Sequence, residues 1–201
     1  IEMQRLERAG SIVIDGPSDR AEFESLVEVG EFVNRSANWL WLPELKRARV
    51  FETTALRAFG APKLTDVEVL AYNTREGWWG STNPLRFPGL ETLERLELTG
   101  DVEVELPNLV ELKEFTAKNV DLDTVDISAV NRVTGRIVIV EAVNWSNAFP
   151  SLETLEGDLI IGHSRRIDIE QTDGFNALKS VEGNVEIHSM LVEIAGLRAL
   201  E

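Results

Sequence analysis

Apolar residues recur along this chain as a short repeated phrase, neither helical in period nor continuously alternating. Anchor positions fall at Leu6, Leu26, Leu45, Leu64, Leu90, Leu109, Val130, Leu152, Leu178 and Leu197, at intervals of 19 to 26 residues. Most anchors have an apolar residue three positions earlier, as at Phe23, Leu42, Phe87, Leu106, Phe149, Phe175 and Ile194. Many have another three positions later, as at Val29, Val67, Leu93, Leu112, Val133, Leu155, Val181 and Leu200. Self-similarity at such a period marks a solenoid, in which a single coil has too little interior of its own and buries its apolar edge by stacking on its neighbours.

Three coils show how the phrase continues. Residues 149–161 and 175–187 are close copies, and Val130 to Ile139 is a looser one. Each has a glycine five residues after the anchor (Gly157, Gly183, Gly135) and apolar residues at seven and nine (Leu159/Ile161, Val185/Ile187, Ile137/Ile139). A period of two over β-branched residues predicts a strand with one buried face. The glycine before it predicts a turn or bulge where a side chain would obstruct the next coil. Other coils are one residue tighter, with apolar pairs at Ile12/Ile14, Leu96/Leu98 and Phe115/Ala117. Because every coil repeats in one direction, equivalent strands stack into parallel sheets with inward columns of leucine and isoleucine. The pattern predicts a mainly β chain, a right-handed parallel β-solenoid of about nine coils running through 1–201 as a single domain. Little helix is expected beyond short turns at the Phe-x-x-Leu segments, and both ends read as cut from something longer.

The phrase Phe-x-x-Leu-x-x-Leu-x-Gly-x-Leu-x-Ile, with alternating shorter and longer coils, resembles the receptor L domain, a leucine-rich-repeat-like β-helix. The resemblance covers residues 130–200 most closely and extends back to Leu6. It departs from the receptor versions in lacking cysteines, and from ordinary leucine-rich repeats in lacking an asparagine ladder. It implies an extracellular or cell-surface recognition domain whose ligand is a protein or a carbohydrate, and it brings no catalytic residues with it.

Composition narrows the partners. The net charge of −15, from 20 Lys+Arg against 35 Asp+Glu, disfavours a phosphate-backbone partner and argues against nucleic acid. The absence of cysteine removes disulfides, thiolate metal sites and a cysteine nucleophile. No apolar run is long enough to insert this segment directly into a membrane.

The five tryptophans carry the functional expectation. Trp78 and Trp79 lie between Gly77 and Gly80 in one of the longer intervals, which predicts an excursion from the coil. Trp39 and Trp41 flank Leu40, so alternation puts both indoles on one face, either outward as a platform or inward as a core plug. Trp145 sits in a turn. Exposed indoles supply rigid contact area for a protein or a flat face for a sugar ring, and Trp78, Trp79, Trp39 and Trp41 are the candidate ligand-binding residues. Carboxylates cluster at Asp101, Glu103 and Glu105 and at Asp121, Asp123 and Asp126, where a solvated polar face competes with a Ca²⁺ site. An acidic pair in a carbohydrate-cleaving β-helix enzyme is the alternative from another class. His163 and His188 each follow a strand and give no convergent ligand set, so no metal or cofactor is expected. Asn34-Arg-Ser36 and Asn144-Trp-Ser146 match the glycosylation acceptor pattern at about the frequency chance allows. The reading is a non-catalytic recognition or adhesion module. A structural spacer that self-associates through open strand edges remains a third possibility.

Overall fold

The computed structural model describes residues 1–16, 18–54, 57–74, 84–144, 148–162 and 173–188. Its principal sheet is parallel throughout and stacks nine rungs in chain order. The first six are Arg8–Ile14, Glu28–Asn34, Arg47–Thr54, Asp66–Asn73, Thr92–Thr99 and Glu111–Lys118. The last three are split into Arg132–Val133 with Ile137–Val140, Thr154–Leu155 with Leu159–Gly162, and Ser180–Val181 with Val185–His188. A second face carries two separate three-stranded parallel sheets. One joins Arg20–Glu22, Trp39–Trp41 and Ala58–Gly60, and the other joins Leu85–Arg86, Val104–Glu105 and Val125–Asp126. The chain is therefore a β-solenoid. It winds about seven turns, slightly fewer than the nine coils expected.

The repeated phrase in the sequence is the corner of the coil. The anchor N–H donates to the carbonyl three residues earlier, from Leu26 to Phe23, Leu90 to Phe87, Leu109 to Leu106, Val130 to Ile127 and Leu178 to Phe175, at 3.0–3.4 Å. Both apolar residues of each corner point inward, and from Phe23 to Leu178 the anchors are buried. Backbone groups that the corner cannot pair within its own coil pair with the next, as Lys46 N–H does with Val27 O at 2.9 Å and Thr65 N–H with Lys46 O at 3.0 Å. Short 3₁₀ turns occur at Leu122–Thr124 and Asp173–Phe175.

Register explains the one-residue difference between the two coil patterns. In the first six rungs the inward residues that bracket the bend lie three positions apart, as in Val29 and Phe32 or Leu112 and Phe115. From the seventh rung they lie four apart, as in Val133 and Ile137 or Leu155 and Leu159. The added residue is a bulge, and Gly135, Gly157 and Gly183 stack within it. The inner columns run through all nine rungs in register, one of them through Ile14, Asn34, Thr53, Tyr72, Leu98, Ala117, Ile139, Ile161 and Ile187. Val185 and Ile187 occupy inward positions as the sequence predicts, yet they are 42 % and 41 % exposed, because no described rung covers them.

Outside, oppositely charged residues alternate between rungs. Arg47 donates to Glu28 at 2.9 Å, Arg95 to Glu114 at 2.9 Å, and Arg132 bridges Glu111 at 3.4 Å and Glu156 at 3.0 Å. The hydrogen bond to Glu156 is the main cause that holds the Arg132 guanidinium above its ordinary pKa. Solvent screens such pairs, so they add little stability, while placing like charges opposite one another would oppose the register.

One buried polar group matters more. Asn34 accepts from the Ala37 N–H at 2.9 Å and donates to Ala37 O at 3.0 Å and to Thr53 Oγ1 at 3.1 Å, all within the core. Asn34→Ala leaves the Ala37 amide groups unpaired and should cost about 2–3 kcal/mol. Denaturant unfolding checks this, and a loss under about 0.5 kcal/mol would mean the corner pairs its backbone by another route.

Candidate functional site

The strand Trp39–Trp41 sits in the middle of its sheet, with Arg20–Glu22 on one side and Ala58–Gly60 on the other. Leu40 is buried and points to the core, so alternation turns its two neighbours outward. Trp39 is 52 % and Trp41 48 % exposed, which makes the pair a platform and not a core plug. Register aligns Arg20, Trp39 and Ala58 in one outward column, and Glu22, Trp41 and Gly60 in the next. Each indole thus has a small residue on the following coil. A Cβ built on Gly60 would overlap Cζ3 and Cε3 of Trp41, so the six-membered ring occupies the space that any other side chain would need. One side of that ring rests on the Gly60 backbone and the rest faces water. Together the strands form a shallow ledge enclosing about 230 Å³, floored by Ala21, Leu40 and Phe59.

Polar groups border the ledge. Arg20 and Glu22 form an ion pair across the residue between them. Asn38 donates to Asp19 Oδ1 at 2.9 Å beside Trp39. The N-terminal segment extends the sheet beyond Arg20–Glu22, where Met3 N–H donates to Glu22 O and Glu22 N–H to Ile1 O, both at 2.9 Å. The ledge is therefore an ordered surface with paired strand edges on both sides of its indoles. Gly60, Ala58 and Arg20 were not singled out from the sequence. Their signal was available: stepping one coil from Trp39 and Trp41 lands on Ala58 and Gly60.

The other candidates separate. Trp78, Trp79, Trp145 and His163 lie outside the described residues. Val102 and Val104 face the core, with Glu103 and Glu105 on the outside as alternation predicts. Glu105 stands between Arg86 and Asp126 in register and binds Arg86 at 2.9 Å. Asp126 accepts from Ser128 Oγ at 2.7 Å, and Asp121 accepts from Asn144 Nδ2 at 2.9 Å. Glu105, Asp126 and Asp121 are thus each engaged by a neighbouring side chain, two of them on an adjacent coil. Among the described residues no three His, Asp or Glu side chains converge on a metal position. His188 is exposed beside Glu186, at 3.2 Å. Asn34 is wholly buried with its amide hydrogen-bonded, which removes it as a glycan acceptor, whereas Asn144 is exposed. Among the described residues no helix is long and apolar enough to cross a membrane.

Compared with protein-family models, curated proteins and solved structures, the chain matches none.

Proposed function

We propose that this chain is a non-catalytic recognition module that binds a protein or glycan at a cell surface, with Trp39 and Trp41 as its first contact residues and Trp78 and Trp79 as its second. The observation that carries this reading is the half-exposure of two adjacent indoles held over a rigid floor. Two large apolar side chains left half-exposed on one face form a contiguous patch, which contact with a partner would cover. Rigid aromatic side chains also lose little conformational entropy on binding, which suits them as anchors. The likeness of the coil phrase to receptor L domains supports a surface-recognition role as well.

Retention of the purified chain on immobilised polysaccharides and on intact bacterial and fungal cells tests the reading. Replacing Trp39 and Trp41 together with alanine should weaken retention about tenfold or more, the usual consequence of losing an aromatic anchor. The melting temperature should stay within about 2 °C, since exposed substitutions rarely cost more than about 0.5 kcal/mol. Unchanged retention accompanied by a large loss of stability would make the indoles structural. Trp78→Ala and Trp79→Ala belong in the same series. Reducing ends released from the polysaccharide would replace binding with cleavage.

A second reading, a self-associating stack, is favoured by the exposure of Val185 and Ile187 on the last described rung. Light scattering that rises with concentration, and is suppressed by Val185→Lys, would favour it.

A further inference from the structure

We infer that the Trp39–Trp41 ledge takes an uncharged, hydroxyl-rich sugar chain, a proposal that rests on the recognition reading above and selects one ligand class within it. Size argues first. Three strands spaced about 4.8 Å apart, each three residues of about 3.3 Å, make a ledge on the order of 100 Å². A stable protein interface needs about 800 Å² from each partner. The equivalent positions on the following coils offer no aromatic extension, since the second sheet presents Arg86, Glu105 and Asp126 outward in register. The strand ledge matches the footprint of one or two sugar rings and is much smaller than the patch a stable protein contact covers.

Chemistry argues next. The face of a pyranose ring carries C–H bonds with slight positive charge, which pack on the electron-rich face of an indole. Its edge carries hydroxyls that both donate and accept. The ledge supplies both halves in register. Arg20 lies in register with Trp39 and Glu22 with Trp41, the two charged groups forming an ion pair, and Asp19 and Asn38 hydrogen-bond at the margin. A guanidinium only donates and a carboxylate only accepts, so the pair matches hydroxyls of either orientation. The net charge of −15 and the carboxylates at the rim select against sulfated or uronic acid chains.

Sequence economy argues last. The position the Trp41 ring adopts leaves no room for a Cβ at residue 60, which would overlap it. The neighbouring coil presents only Ala58 and Gly60 in register with the two indoles. That complementarity seats the Trp41 ring, which a sugar-stacking surface needs and a merely tolerated surface tryptophan does not.

The test uses the whole chain and soluble hexasaccharides of glucose, xylose, mannose and N-acetylglucosamine, with heparin as the anionic probe. Binding is followed through the indole N–H resonances of Trp39 and Trp41, assigned with Trp39→Phe and Trp41→Phe. At least one neutral hexasaccharide should shift both resonances saturably, and heparin should not. Trp41→Ala should raise the dissociation constant about tenfold. Gly60→Val keeps both indoles but unseats Trp41, and should weaken binding comparably while the fold remains cooperative. The proposal is overturned if no neutral saccharide moves either resonance at millimolar concentration, or if Gly60→Val binds as the wild type does. Should saccharides fail while alanine at 39 and 41 still abolishes retention on cells, the ligand is a protein and the recognition reading survives. Failure of both measurements removes the recognition reading too.

Discussion

Gly157→Val should destabilise the chain by about 4 kcal/mol, at the upper end of what a single substitution does, and lower its melting temperature by about 8–16 °C. The cause is space and not backbone torsion. A Cβ at position 157 would overlap the carbonyl of Gly135 on the preceding coil and come within 2.9 Å of its Cα. Those atoms are backbone, paired into the ladder by bonds such as Gly135 N–H to Lys113 O at 2.8 Å, so they cannot swing aside as a side chain would. Gly183 meets the same obstacle one coil further on, with the Gly157 carbonyl at 2.6 Å. Relief requires the seventh and eighth rungs to separate, which breaks their register along both halves of the split strand. Gly10→Ala is the matched control. Its Cβ meets nothing within 4 Å, and alanine restricts the unfolded chain, so stability should hold or rise slightly. Thermal unfolding followed by circular dichroism compares the two, and equal melting temperatures would mean the glycine stack is not what sets coil spacing.

The winding was legible in the sequence because a solenoid makes the same demand in every coil. Each corner needs two inward apolar residues three positions apart, and that spacing survives variation between leucine, phenylalanine and valine. The bend was harder to read. Between Val29 and Phe32 two residues in succession, Gly30 and Glu31, fall between inward positions, so the alternation expected of a strand is interrupted where the sheet folds. The shift from three to four positions at the seventh rung looked like a difference in coil length, and it is an inserted residue within the rung. The site was half legible. Alternation placed Trp39 and Trp41 on one face, but the choice between inside and outside depends on Leu40. A single leucine between two larger apolar residues does not declare itself until the neighbouring coils show Ala21 and Phe59 in its column. The seat beneath the indoles needed register across coils, which no local window contains.

Phe51→Ala should cost about 3–5 kcal/mol, the usual range for deleting a buried ring, and it should also loosen the ledge. Phe51 is wholly buried and stacked on Phe32 with centroids 5.4 Å apart, and meets Phe59 at 5.7 Å and Phe87 at 6.0 Å. Phe59 lies in register with Leu40, between the two indole columns, so the ring removed from the core is one that props the floor of the ledge. In a solenoid, stability is shared mainly between adjacent coils, so the disturbance should reach the second to fifth rungs and fade beyond them. Phe149→Ala is the control that separates local from global loss. Phe149 is equally buried and packs on Phe115 at 5.2 Å and Phe175 at 5.4 Å, and its removal should cost a similar amount of stability. Hydrogen exchange and the Trp39 and Trp41 indole resonances, recorded well below both melting transitions, should change in Phe51→Ala and stay at their wild-type positions in Phe149→Ala. Equal perturbation by the two variants would mean that the coils share their packing along the whole stack, and that the ledge is held by the entire molecule and not by the coils beneath it.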